Sequence, residues 1–197
     1  LYLEKDHDDG TSGQFALTGN ASIINEGLLD ASEGQTEITL NGASSLVSEK
    51  ETIASFSTLT VNEDAKVEIK GDGSGETLNV AGNGSYKIGS TSENTWKDIS
   101  VAGGLLVNEG VLNPAAEGEE PKQLGNLTVS GGQFVNDGSA DFDRLKTIGS
   151  GDAGTPAVTN KSGKELKAST LDLASGLSNE GTLLAERTEL SGSAVLD

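Results

Sequence analysis

The chain has no cysteine, no methionine, one histidine, three prolines and one tryptophan in 197 residues. Without cysteine there is neither a disulfide framework nor a thiolate metal site. No apolar run approaches the roughly 20 residues of a membrane-spanning helix. No charged-then-apolar leader opens the chain, and with no initiator methionine it reads as a piece of a longer protein. Aromatic residues make up 4%, too few for the core of a compact globule. Basic residues are scarce as well: 13 Lys and Arg against 31 Asp and Glu give a formal net charge of −18. Such a balance argues against nucleic acid, whose phosphates need a basic footprint, and against anionic lipid surfaces. It favours solubility and repulsion between copies. Divalent cations or basic partners are compatible with it but not implied by it.

What the chain does have is glycine, 27 residues of it, and a repeated pattern. Leu127-Thr128-Val129-Ser130-Gly131-Gly132-Gln133-Phe134-Val135-Asn136-Asp137-Gly138 sets two strand-like pieces about a Gly-Gly turn and closes on Asn-Asp-Gly. The same pattern stands earlier as Ile99-Ser100-Val101-Ala102-Gly103-Gly104-Leu105-Leu106-Val107-Asn108-Glu109-Gly110. It returns, one residue shorter, at 171–181. Alternating apolar residues, as at Leu59 and Val61 or Ala65, Val67 and Ile69, have the period of a half-buried strand. Turn asparagines at 25, 41, 62, 83, 108, 136, 160 and 179 lie on average 22 residues apart. A period this short signals stacked supersecondary units.

These observations predict an all-β parallel β-helix, or β-solenoid, of about eight coils. At about 4.8 Å per stacked strand it makes a rod on the order of 40 Å long. Glycine and asparagine supply the positive-φ positions of the turns. Leu, Val, Ile and Ala fill a thin core in which each coil touches only its neighbours. Residues 1–14 are expected to be a frayed first coil or cap, and 15–197 the repeats. The segment from Pro114 to Pro121 reads as a loop pushed out of the stack. An antiparallel sandwich with Asn-Gly hairpins is the competing reading, but a sandwich has no reason to repeat one two-turn pattern at one period.

The Gly-Gly-x-apolar-x-Asn-Glu/Asp-Gly units at 103–110 and 131–138 resemble the passenger domains of Gram-negative autotransporters of the pertactin-like class. So do the acidic balance and the absent cysteine, which suits a surface protein that crosses a membrane unfolded. The resemblance covers about residues 15–196. It implies a right-handed helix, an extracellular or bacterial cell-surface location and a translocator β-barrel outside this fragment.

Candidate chemistry is sparse. His7 with Asp6, Asp8 and Asp9 lacks the full spacing of a calcium loop and reads as a solvated terminus. The stretch from Asp72 to Glu76 carries oxygen ligands but reads as a corner loop. Asp141 and Asp143, two apart with Arg144 beside them, share a strand face in the manner of acids in carbohydrate-active β-helices, yet no second acidic cluster accompanies them. There is no Gly-x-Ser-x-Gly elbow. No catalytic residue, metal site or cofactor is therefore assigned. Candidate binding residues are Trp96 and Tyr86, as rings that stack on sugars or anchor a partner, and Glu119 and Glu120 in the expelled loop, since function concentrates on loops of rigid scaffolds. The expected function is adhesion, through a host-surface protein, a glycan or self-association. A carbohydrate-active enzyme and a passive spacer are the alternatives.

Overall fold

A computed structural model describes residues 13–32, 35–113, 125–149 and 155–192. Among these there is no helix, and every ladder between named strands is parallel. The chain winds as a β-solenoid. Its first coil is β1 (Gln14–Leu17), β2 (Ser22–Asn25) and β3 (Leu28–Ala31). The second is β4 (Glu37–Leu40), β5 (Ser45–Ser48) and the first half of β6 (Ile53–Val61). From there each coil's third leg, except the fifth's, runs straight into the next coil's first leg. Thus β7 (Lys66–Ile69) leads to β8 (Asp72–Ala81), and β9 (Ser85–Ile88) leads to β10 (Glu93–Ala102). The fifth coil is completed by β11 (Leu105–Asn108) and the two-residue β12 (Val111–Leu112). Then come β13 (Asn126–Ser130), β14 (Gln133–Asn136), β15 (Ser139–Ile148), β16 (Val158–Asn160), β17 (Glu165–Leu173), β18 (Leu177–Asn179) and β19 (Thr182–Leu190). Eight coils result, with the second half of β19 beginning a ninth.

The short second legs stack as one eight-stranded sheet, and the first and third legs form the other, of eleven strands. Each long strand bends at its middle. In β6 the buried residues are Ala54 and Phe56, then Leu59 and Val61, so Ser57 and Thr58 in succession face outward. A step of three instead of two breaks the alternation of a flat strand and turns a corner. Every coil therefore has three legs.

The core is a set of columns running along the stack. Ile38, Leu59, Leu78, Ile99, Leu127, Leu145 and Leu171 form one of them, each in register with the next and each almost wholly buried. Residues of this size bury about 1.5–3 kcal/mol of apolar surface apiece, which is how a chain with few aromatics holds together. Parallel ladders exclude the sandwich.

The turn asparagines occupy two corners, not one. Asn25, Asn108, Asn136, Asn160 and Asn179 end second legs and point inward, whereas Asn41, Asn62 and Asn83 sit at the corner after the first leg. Coil length runs from 17 residues, Thr170 to Arg187, to 28, Leu105 to Gln133. The inward asparagines form a ladder. Asn108 Nδ2 donates to Asn136 Oδ1 at 2.8 Å, Asn136 Nδ2 to Asn160 Oδ1 at 2.8 Å, and Asn160 Nδ2 to Asn179 Oδ1 at 2.7 Å. Ile69 and Ile88 take the equivalent places in the third and fourth coils. The ladder thus starts afresh at Asn108, whose Oδ1 has no partner.

Candidate interaction surfaces

Outward residues on the three legs differ in chemistry. On the first legs, the second to sixth coils present Glu37 and Thr39, Thr58 and Thr60, Thr77 and Asn79, Asp98 and Ser100, and Asn126 and Thr128. This strip is mostly hydroxyl and amide, with Asn79 Nδ2 donating to Thr60 Oγ1 at 3.4 Å and Asn126 Nδ2 to Asp98 Oδ1 at 2.9 Å. Further along, Arg144 and Lys146 bring positive charge, and Arg144 Nη2 meets Asp172 Oδ2 at 2.7 Å. On the second legs, Lys87 sits between Glu68 at 3.7 Å and Glu109 at 3.1 Å, and hydrogen bonding to Glu109 holds its ammonium above the usual lysine range. The third legs carry Asp30, Asp72, Glu93, Asp141 and Glu165 outward and are the acidic side.

Charge pairs mostly join one coil to the next. Lys70 meets Glu49 at 3.0 Å, Lys97 meets Glu76 at 3.1 Å, and Lys161 and Lys164 meet Asp137 at 2.7 and 3.2 Å. These lysines, Lys161 first, hold the Asp137 carboxyl below the usual range. Exposed pairs of this kind contribute at most about 1 kcal/mol each, so they help set coil register more than stability.

Residues 114–124, expected from the sequence to be a loop pushed out of the stack, lie outside the described residues; they fall between Asn113 and Gly125, where a third leg gives way to the next first leg. Asn113 takes a left-handed φ of 54° there, and its Oδ1 accepts the backbone N–H of Trp96 at 2.8 Å. The side chain replaces the strand partner lost where β12 stops, as a buried donor requires. Glu119 and Glu120 lie outside the described residues, as does His7.

A shallow notch of about 350 Å³ lies at the Gly-Gly corners, lined by Asn83, Gly103, Gly104, Gly131, Gln133 and Thr155 among others. Two-residue turns in the fifth and sixth coils create it, since neighbouring coils spend more residues there. Gly132 lies so close to the coil beneath that a Cβ would come 2.6 Å from the Gly104 carbonyl oxygen.

Trp96 and Tyr86 face the core, not solvent. Trp96 lies on β10 and is 1% exposed; Tyr86 lies on β9 and is fully buried. The Trp96 ring stacks on Phe56 at 5.8 Å and meets Tyr86 edge-on at 5.9 Å. Tyr86 Oη donates to Asn94 Oδ1 at 2.7 Å, Asn94 Nδ2 donates to Ser92 Oγ at 2.7 Å, and Ser92 Oγ donates to the Gly71 carbonyl. Burial pushes the Tyr86 phenol well above its ordinary pKa. The stretch from Asp72 to Glu76 is strand β8, not a corner loop: Gly73 and Gly75 are there because Asn94 and Trp96 fill the space their side chains would take. Of the two acids on β15, Asp141 faces out from the third leg and Asp143 sits at the corner, while Arg144 turns to Asp172. Among the described residues no group of three or more His, Cys, Asp or Glu side chains could hold a metal ion. Among the described residues no helix is long and apolar enough to cross a membrane.

The polar strip on the first legs went unnoticed in the sequence. Its signal was the polar residues on either side of Ile38, Leu59, Leu78 and Leu127, which identify one outward face only once the coils are in register. No protein-family model, no curated protein and no solved structure matches the chain.

Proposed function

We propose that the chain is a rod segment of a secreted or cell-surface adhesin, of the autotransporter-passenger kind, displayed outside a bacterial cell with its β-barrel translocator outside this fragment. The observation that carries this reading is the division of labour within each coil. Apolar columns and an internal asparagine ladder hold the stack. Outward positions vary freely and form long strips of hydroxyl, amide and charged groups. A corner accommodates an eleven-residue insertion, 114–124, without disturbing the neighbouring coils. Such a scaffold presents surface over its whole length, which suits adhesion to a host protein, a glycan or a neighbouring cell.

The test is adhesion itself. The chain is immobilised on beads and challenged with mammalian and bacterial cells, matrix proteins and a glycan panel over a range of salt. Capture is expected for at least one of these, and it is reduced when outward residues are changed while the core is kept. Absence of binding to every one of them at any salt would sink the adhesin reading and leave a spacer.

A further inference from the structure

We propose that Asn41 and Gly42 form a self-modifying site, at which Glu63 and Asn62 of the next coil promote closure of a succinimide ring and loss of the Asn41 side-chain amide as ammonia. The inference goes beyond the adhesin reading and does not depend on it.

The chain holds two Asn-Gly pairs, Asn41-Gly42 and Asn83-Gly84, both at the corner after a first leg. In such a pair the glycine backbone nitrogen can close a ring on the asparagine side-chain carbonyl carbon, because the glycine has no side chain in the way. The closure is slow, since a peptide N–H is a weak acid and an amide carbonyl a poor electrophile. At Asn41 a side chain meets each obstacle. Glu63 Oε2 accepts the Gly42 N–H at 2.7 Å, and Asn62 Nδ2 donates to Asn41 Oδ1 at 3.1 Å. A base on the nucleophile's proton and a donor on the oxygen where charge develops are the aids a positioned site supplies.

The backbone at Glu63 is unusual as well. The residues in register at this corner are Gly19, Gly42, Glu63, Gly82, Gly103 and Gly131, and all have left-handed φ. Glu63 alone in this row carries a side chain, at a φ of 54°. Such a conformation is strained for any residue but glycine. What the strained position provides is the reach of the Glu63 carboxylate to the Gly42 N–H.

Asn83-Gly84 is arranged differently. The Gly84 N–H donates to the Ala81 carbonyl at 2.9 Å, an acceptor too weakly basic to take a proton. Asn83 donates through Nδ2 to Asp64 Oδ1 at 3.5 Å. Asn83 is exposed and Asn41 half-buried, so solvent access alone favours Asn83, whereas the neighbouring side chains favour Asn41.

As the Gly42 nitrogen bonds to Asn41 Cγ, its proton passes to Glu63 and the carbonyl π pair moves onto Oδ1, beside Asn62 Nδ2. Re-forming the carbonyl breaks the Cγ–Nδ2 bond. The departing nitrogen takes the proton from Glu63 and leaves as ammonia, which restores the carboxylate. Water then opens the succinimide at either carbonyl and leaves aspartate or isoaspartate at position 41. Both add a negative charge beside Glu63. Isoaspartate also lengthens the backbone where the Asn41 N–H donates to the Leu17 carbonyl at 2.9 Å, at the junction of the first and second coils.

The test keeps the whole chain at neutral pH and follows both asparagines over time by peptide mass spectrometry, in native buffer and in guanidinium chloride. In denaturant the two pairs are expected to react at similar rates. In the folded chain Asn41 is expected to react at least about tenfold faster than in denaturant, a modest share of the ~10²–10⁴-fold that positioned acid–base groups contribute. Glu63→Gln keeps an acceptor for the Gly42 N–H but no base, and is expected to slow Asn41 by about tenfold or more while Asn83 is unchanged. Asn62→Leu removes the donor to Oδ1 and is likewise expected to slow Asn41. Folded Asn41 reacting no faster than unfolded Asn41 would overturn the inference, and that comparison needs no variant. So would Asn83 reacting faster than Asn41 in the folded chain, or Glu63→Gln or Asn62→Leu reacting like wild type.

Discussion

Gly75 lies where Trp96 needs room: a Cβ at Gly75 would come 2.3 Å from Cζ3 of the indole and 2.8 Å from the Phe56 carbonyl oxygen. Phe56, Gly75 and Trp96 are in register on three successive coils. The middle coil gives up its side chain, and rings from the coils on either side stack across the gap.

Gly75→Ala is therefore expected to destabilise the fold by about 1–3 kcal/mol, the usual cost of overpacking, because one of the colliding atoms is backbone. Denaturant midpoints check it. A small companion change, Trp96→Leu, recovers part of the loss if the indole is the main obstacle. Trp96 fluorescence is also expected to resist collisional quenchers until unfolding and to ignore any bound glycan.

Asn136 sits in the middle of the inner ladder, accepting from Asn108 and donating to Asn160 and to the Glu165 carbonyl at 2.9 Å. Asn136→Ala leaves several buried groups without partners, each worth roughly 1–3 kcal/mol. A loss of at least about 2 kcal/mol is expected, larger than for Ile88→Val, which removes one methyl for about 0.5–1.5 kcal/mol. Equilibrium unfolding of the two variants side by side decides it.

The Tyr86 phenol, raised by burial, gives stability a definite pH dependence. Its neutral form is favoured in the folded state. The contribution is complete below the ordinary tyrosine pKa of about 10 and is lost as pH rises above it. In a Tyr2→Phe background, tyrosinate absorbance is expected to appear together with unfolding, not before it. Tyr86→Phe removes this alkaline dependence but leaves Asn94 Oδ1 short of a donor, at about 1–3 kcal/mol.

Asp137 behaves in the opposite sense. Lys161 and Lys164 depress its carboxyl, so its contribution is present above the ordinary aspartate pKa of about 3.9 and disappears as pH falls through the lower folded value. The pair is exposed and the effect on stability is within about 1 kcal/mol. An NMR titration is expected to place Asp137 below an isolated aspartate, and Lys161→Gln with Lys164→Gln to move it back up.

Much of this architecture could be read from the chain. The alternation at Leu59 and Val61 and the Gly-Gly and Asn-Glu-Gly turns point to parallel coils, because those turns recur at one spacing. The site residues were harder. Trp96 and Tyr86 look like exposed binding rings in a chain with so few aromatics, but inward or outward on a strand depends on phase. In β10 the phase shifts by one at Lys97 and Asp98. Asp72 to Glu76 looks like a loop because glycine marks turns, whereas here it marks space taken by the next coil. The eight asparagines look like one column because their average spacing is right, although Asn41, Asn62 and Asn83 belong to a different corner.

The account depends on coils stacked in register, and distances along one face measure that directly. The chain has no cysteine, so spin labels can be placed at will on outward first-leg positions. Thr39, Ser100, Lys146 and Glu189 stand on the second, fifth, seventh and ninth coils of one row. Pulsed electron resonance from Thr39 is expected to give about 14 Å to Ser100, about 24 Å to Lys146 and about 34 Å to Glu189, at about 4.8 Å per coil. Distances that fail to grow in step with coil number would contradict the stack, and with it every surface assigned to it.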